Sequence, residues 1–174
     1  AGLKESDVTI VVTGLLNFAP LMQGQVDATA ATDTGLAVGL RRGLTGVEVM
    51  NVRDHLNISS DLFVVREQVL RQKRDLLRAF LEGYRDSTAW MIANPEETAT
   101  LAARVAIDGT QRDVNLEVIR LRNAASQPAV PGKGLGSFDL GMLQKGADAY
   151  HALGLVQNPI TVADVVDTSL LPAG

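Results

Sequence analysis

Along residues 1–65, short apolar runs alternate with turn residues. Four runs rich in β-branched or small apolar side chains predict buried strands, at 8–12 (VTIVV), 26–31 (VDATAA), 47–52 (VEVMNV) and 61–65 (DLFVV). Between the first two runs, Pro20 begins a short helix that Gly24 ends, and a helix at 36–42 ends at Gly43. Strands that alternate with helices predict an α/β fold with a parallel sheet.

The pattern becomes helical after the fourth run. Apolar side chains at i, i+3, i+4 spacing predict one long amphipathic helix over 69–93. Its apolar stripe consists of Leu77, Phe80, Leu81, Tyr84, Thr88, Met91 and Ile92. We therefore place the switch from α/β to helical structure near residue 60 and predict a helical C-terminal half.

Capping residues predict where the later helices begin. In the sequence NPEE at 94–97, Asn94 is the predicted N-cap, Pro95 the first helical residue and Glu97 the partner in a capping box. Further helices are predicted to begin after Thr110, Ser137 and Thr161, and the second of these to end at Gly154.

Composition narrows the classes of function. The 174 residues carry a net charge of −4 and no cysteine. A nucleic-acid partner is not expected without a basic surplus, and thiolate metal sites and cysteine nucleophiles are excluded within the sequence. Phosphate-loop, serine-hydrolase, zinc-protease and dinucleotide motifs are absent, so no cofactor is indicated. His55 and His151 each lack a visible metal or catalytic partner, and we interpret both as solvated or structural residues.

Polar residues follow the predicted strands. In open α/β sheets, ligands bind beyond the carboxyl ends of the strands. Those ends are residues 13–17, 32–34 and 54–60, and their short polar side chains leave room for a small ligand. Ordinary solvated loops are the alternative, which composition alone does not exclude. Asp27 lies at the start of its strand and is interpreted as a structural turn residue.

Three stretches together resemble a known family. They read LMQGQVDATA (21–30), NISSDLFVVREQVLRQKRDLLRAFLEGYRDSTAWMIANPEETATLAA (57–103), and LQKGADAYHALGLV followed by ITVADVVDTSLLP (143–172). Their order and spacing resemble the solute-binding proteins for nitrate, taurine, aliphatic sulfonates and thiamine pyrimidine precursors. No single motif is specific, but the ordered set covers nearly the whole chain.

The resemblance implies a periplasmic binding protein type II-like fold of two α/β lobes around a cleft. Residues 1–60 would belong to the second lobe with its hinge crossing at 54–60, and residues 61–174 would complete the first lobe. The chain would correspond to the C-terminal portion of the family. The missing N-terminal half, or another chain, would then be a partner, and we expect extra association without it.

The resemblance also implies a function. The protein would bind a small polar solute and deliver it to an ABC transporter permease, in the periplasm or as a lipid-anchored protein, without enzymatic activity. The ligand-binding residues would be Asn17, Thr32, Asp33, Thr34, Asn57, Ser59 and Ser60. Two alternatives stay open, namely an enzyme of the same fold, similar to pyrimidine synthases or a desulfinase, and a ligand-sensing regulatory module.

The segment Thr32-Asp33-Thr34 bears on the class of solute. Many relatives resembling this chain carry an aromatic residue or a W-x-P turn here, so the segment departs from the family pattern. Asp33 would repel an anion such as nitrate or a sulfonate. Two hydroxyls and a carboxylate favour a neutral or cationic ligand with hydrogen-bond donors, such as an aminopyrimidine.

Overall fold

The computed structural model describes residues 2, 4–13, 18–58, 61–107, 111–128, 130 and 132–171. The α-helices of these residues are α1 (Ala19–Met22), α2 (Asp33–Arg41), α3 (Glu67–Gln72), α4 (Arg74–Ala93), α5 (Pro95–Val105), α6 (Arg112–Ala125), α7 (Leu140–Ala152) and α8 (Val162–Val165). Short 3₁₀ helices lie at Glu5–Asp7 and Val52–Asp54. The chain divides into two compact units, Ala1–Glu48 and Val49–Gly174.

The predicted α/β, type II-like two-lobed fold is wrong, because the described residues contain helices and no β-strand. The runs at 8–12, 26–31, 47–52 and 61–65 form no sheet, and Val12 and Val64 are 91% and 87% exposed. β-Branched side chains favour an extended backbone, but a sheet also needs a second strand to pair the N–H and C=O groups. No described segment pairs with these runs. Their composition indicated an extended backbone, but it carried no information on whether a second strand is present to pair with it.

The helix ends of the first unit agree with the sequence in part. Pro20 lies in the first turn of α1, and the left-handed backbone of Gly24 and Gly43 (φ of +66° and +96°) follows the ends of α1 and α2. The prediction for the second helix, 36–42, began three residues too late. Thr32 is the N-cap of this helix, and its side chain starts the helix at Asp33.

The long helix predicted over 69–93 is divided at Lys73 into α3 and α4. The backbone of Lys73 leaves the helical region, with φ −129° and ψ 34°. Hydrogen bonds continue on both sides, from the Lys73 N–H to the Val69 carbonyl (2.9 Å) and from the Leu77 N–H to the Lys73 carbonyl (3.0 Å). Lys73 is therefore a kink at which α3 ends and α4 begins.

The later caps differ from the predicted ones in detail. Pro95 begins α5 as predicted, but the capping box is not formed, because the Asn94 side chain donates to the Trp90 carbonyl of α4 (2.9 Å). Thr110 lies outside the described residues. Asp139, rather than Ser137, caps α7 by accepting from the Met142 N–H at 2.9 Å. Thr161 precedes α8, and Gly154 follows the end of α7, as predicted.

The core of the second unit is centred on the pair α5 and α6, which pack on each other and on α4. Ala99 of α5 is fully buried and Ile119 of α6 is 8% exposed. Glu96, in the first turn of α5, accepts hydrogen bonds from Arg112 and Arg120 of α6. These charged groups are largely exposed, so apolar packing contributes more to this helix pair than the ion pairs do.

Helix α7 is the support for two other segments. The Gln144 side chain accepts from the Val162 N–H (2.8 Å) and donates to the Ile160 carbonyl (2.9 Å), which fixes the start of α8. On the same helix, Gly146 is buried against the side chain of Ile58. A β-carbon at Gly146 would lie 2.9 Å from Ile58 Cγ2, which is too close for undisturbed packing.

The C-terminal segment is held at the kink between α3 and α4. Arg74 donates to the Ser169 hydroxyl (2.6 Å) and lies 3.6 Å from the Asp167 carboxylate. Hydrogen bonds from the hydroxyl and backbone N–H of Ser169 lower the pKa of Asp167 below its ordinary 3.8, and the charge of Arg74 lowers it further. Asp167 is therefore an acceptor that joins residues 167–169 to α4.

The contact between Ile58 and Gly146 predicts the effect of one added methyl group. Gly146→Ala should destabilise the protein by about 1–3 kcal/mol, because Ile58 must move. Gly83→Ala is the matched control, since no atom lies within 4 Å of its added β-carbon, and it should be neutral or stabilising by up to ~1 kcal/mol. Urea unfolding of both variants measures the difference, and equal effects would disprove the close contact.

The lowered pKa of Asp167 predicts the direction of a pH effect. A carboxyl whose pKa falls on folding stabilises the folded chain fully above its unfolded value, 3.8, and this stability is lost as the pH falls through the folded value. Asp167→Asn should therefore lower the free energy of unfolding at neutral pH, and the difference from the wild type should shrink below pH 3.8. A difference that stays constant across this range would contradict the assignment.

Candidate functional site

Three of the predicted ligand-binding residues come together at the N-terminus of α2. The Thr32 hydroxyl accepts a hydrogen bond from the Gly35 N–H (3.2 Å) and lies 3.0 Å from the Thr34 hydroxyl. The Asp33 carboxylate accepts from the Thr34 N–H at 2.7 Å. Thr32 and Asp33 are exposed and Thr34 is half-buried, so the cluster faces solvent at one helix end. We call these three residues the α2 cluster.

The α2 cluster has a definite electrostatic character. The N-terminus of a helix carries a partial positive charge and free N–H groups, which attract anions. Here Asp33 occupies the first helical position, and side chains of the cluster already accept from the N–H groups of Thr34 and Gly35. The Asp33 carboxylate thus already provides a negative charge at this helix end, which favours ligands that donate hydrogen bonds or carry positive charge.

A close contact with a glycine holds α2 in the first unit. Phe18, which precedes α1, and Leu44, which follows α2, both approach Gly39 of α2. A β-carbon at Gly39 would lie 3.0 Å from Phe18 Cγ and 3.2 Å from Leu44 Cδ2. Leu44 is only 4% exposed. This packing fixes the C-terminal half of α2 and thereby sets the position of the α2 cluster at its other end.

Among the other predicted site residues, Asn57 alone lies within the part of the chain that the structure describes. Asn57 is exposed and belongs to the second unit, where it follows the 3₁₀ helix Val52–Asp54 and precedes the anchored Ile58. Asn17, Ser59 and Ser60 lie outside the described residues. The grouping of these four residues with Thr32, Asp33 and Thr34 therefore stays a prediction.

Sequence reasoning missed two buried amide groups on α6. Asn115 and Asn123 lie on the same stripe as Ile119, at spacings of four residues. The Asn123 amide nitrogen donates to the Met91 carbonyl (3.2 Å), but Asn123 Oδ1 and Asn115 Nδ2 are buried without a partner among the described residues. In the sequence, an asparagine lies four residues before and four residues after the apolar Ile119, on the side of α6 that faces the core. Buried polar side chains normally have a hydrogen-bond partner, so asparagines at these positions were a detectable signal.

Among the described residues, no group of three or more His, Asp or Glu side chains is arranged to hold a metal ion. A shallow depression along α6 is lined by Asp113, Leu116, Glu117, Arg120 and Leu121, and it includes no predicted site residue. Among the helices described, none combines the length and apolar character needed to cross a membrane.

Comparison with known proteins gives one match. Searches of the curated proteins and of the solved structures returned none. The family described as NMT1/THI5 like matches residues 1–98, which is 98 of the 174 residues. This range contains every predicted ligand-binding residue, whereas α6, α7 and α8 lie beyond it. That the chain corresponds to the C-terminal portion of the family stays a prediction.

The match confirms the family expected from the resemblance of the sequence. The family includes solute-binding proteins, so a general role in binding a small molecule, and a general association with transport, follow from it. The protein belongs to the NMT1/THI5-like family.

Proposed function

We propose that this protein is the solute-binding component of an ABC importer and that it acts without catalysing a reaction. It binds a small polar molecule and delivers it to a permease, in the periplasm or anchored by lipid at the outer face of the cytoplasmic membrane. The observation that carries the proposal is the match of the NMT1/THI5-like family over the range that contains the polar α2 cluster.

Within the solutes of this family, we propose the pyrimidine class rather than sulfonates or nitrate. The Asp33 carboxylate offers an acceptor for an amino group and repels an anionic head group. The hydroxyls of Thr32 and Thr34, 3.0 Å apart, each have donor and acceptor capacity. An aminopyrimidine presents ring acceptors beside an amino donor, and it therefore complements a carboxylate flanked by hydroxyls.

The α2 cluster supplies three side chains at one helix end, which cannot enclose a ligand alone. Small-molecule sites generally bury most of the ligand surface. We propose that further polypeptide, from the same protein or from another chain, contributes the other contacts. Delivery to the permease would then follow release of the ligand from this combined site.

Isothermal titration calorimetry against an aminopyrimidine, taurine and nitrate tests the class of ligand. The wild type should bind the aminopyrimidine, and Asp33→Asn should weaken that binding at least ~10-fold, because the exchange removes a charge-assisted hydrogen bond. Asp27→Asn is the matched control, since Asp27 is an exposed carboxylate of the same unit outside the α2 cluster, and it should leave the affinity unchanged.

Each part of the proposal has its own contrary result. Binding of taurine or nitrate, strengthened by Asp33→Asn, would overturn the pyrimidine class and leave the solute-binding role standing. Conversion of any of these compounds to a product, followed by chromatography, would instead favour an enzyme. Binding that responds equally to Asp33→Asn and Asp27→Asn would remove the α2 cluster from the site.

A further inference from the structure

Helix α4 ends beside a proline, which changes the hydrogen bonding of its last turn. Pro95 opens α5, where its fixed backbone suits the first turn of a helix, but it has no N–H. A proline also disfavours the helical conformation for the residue before it, and Asn94 has φ −131° and ψ 60°. The chain therefore turns at residues 90–95, which we call the α4–α5 elbow.

Two carbonyl groups at the end of α4 show the effect of this proline. The Trp90 carbonyl accepts from the Asn94 N–H (2.8 Å) and from the Asn94 side-chain amide (2.9 Å). In a continuous helix, the Met91 carbonyl would accept from the N–H of residue 95, because helical bonds join residues four apart. Pro95 has no N–H to donate, and no backbone N–H of the described residues donates to the Met91 carbonyl instead.

A side chain of α6 donates to the Met91 carbonyl. Asn123 Nδ2 lies 3.2 Å from this oxygen, although the two residues are 32 positions apart in the sequence. Helix α6 packs on both α4 and α5. The packing that buries Ile119, four residues before Asn123, therefore also places the amide of Asn123 at the elbow.

The oxygen of the same amide is unfavourably placed. Asn123 Oδ1 is buried without a partner among the described residues. An apolar side chain of similar volume would fill the space and would leave no such atom unpaired. Exchanging the oxygen and nitrogen of the amide is no remedy, because two oxygens would then face each other at the Met91 carbonyl. The hydrogen-bond donor is therefore what an asparagine contributes at this position.

We propose that Asn123 is a cross-helix cap that keeps the α4–α5 elbow closed, because its amide replaces the N–H that Pro95 lacks. Without this donor, the Met91 carbonyl would have no partner unless the elbow opened to water. With it, α4, α5 and α6 are joined at one point, and the elbow is a fixed joint rather than a hinge. Asn123 lies beyond residues 1–98, so the cap ties the part of the chain matched by the family to the part that follows.

Native-state hydrogen exchange of the full chain tests the cap, because it measures opening at single amides. The reporters are the N–H groups of Asn94 and Thr98, which donate to carbonyls four residues earlier at 2.8 and 3.0 Å. Asn123→Leu keeps a similar volume and removes the donor, so it should accelerate the exchange of both reporters at least ~10-fold. The Val162 N–H, which is hydrogen-bonded at the start of α8, is the internal reference and should not change.

Asn115→Leu is the matched control. Asn115 lies on the same stripe of α6, is half-buried as Asn123 is, and its amide nitrogen has no partner among the described residues. Its replacement should leave both reporters at the wild-type rate. Equal acceleration by the two leucine variants would assign the effect to the packing of α6. No acceleration by Asn123→Leu would show that the Met91 carbonyl needs no donor, and either result overturns the cap.

A proline variant tests whether the amide replaces the missing N–H. Pro95→Ala restores an N–H four residues after Met91. On that background, Asn123→Leu should accelerate the reporters less than ~3-fold, because the Met91 carbonyl then has a helical donor and the two changes are not additive. An undiminished acceleration would show that the two positions act independently, which would overturn the proposal.

Asn123→Asp is a second variant that keeps the shape of the side chain but has no N–H to donate. It should accelerate the exchange of the reporters as Asn123→Leu does, and wild-type rates would contradict the cap. Far-ultraviolet circular dichroism confirms that each variant keeps the helical content of the wild type, so faster exchange reports opening of the elbow and not unfolding.

Discussion

The close approach of a bulky side chain to a helical glycine is the contact on which both predicted ligand segments depend. In the first unit, Phe18 and Leu44 reach Gly39 and hold the helix that carries the α2 cluster. In the second unit, Ile58 reaches Gly146 and holds the segment that carries Asn57. A β-carbon at either glycine would push the neighbouring side chain away. The lack of a side chain at Gly39 and Gly146 therefore determines where residues several positions away along the chain lie.

The sequence predicted helices better than it predicted pairing. Pro20, Gly24, Gly43 and Gly154 act through their own backbone, so their positions at helix ends were readable from the chain alone. The strand predictions failed because a sheet depends on a distant neighbour, and the exposure of Val12 and Val64 shows that no described neighbour is present. Propensity describes one segment, whereas a sheet is a property of at least two.

The local structure of the α2 cluster was predicted only in part. Thr32, Asp33 and Thr34 were identified as polar residues at the end of a strand, and they lie instead at the start of a helix. The three residues are consecutive in the chain, so they lie together in either interpretation, and their role in ligand binding stays a prediction. The link between Arg74 and Ser169 spans 95 residues, and no local pattern indicates it. Polar contacts between residues so far apart in the sequence depend on the tertiary fold, and the local spacing of residues does not predict them.

The unpaired backbone of residues 61–65 has a consequence for the exchange of amide protons with solvent. Without acceptors among the described residues, these amides are open to water, and they should exchange at rates close to those of an unfolded chain. The amides around Ala99, in a helix packed on two others, exchange only when that packing opens. Among the described residues, one compact unit therefore combines backbone that exchanges readily with backbone that is protected by packing.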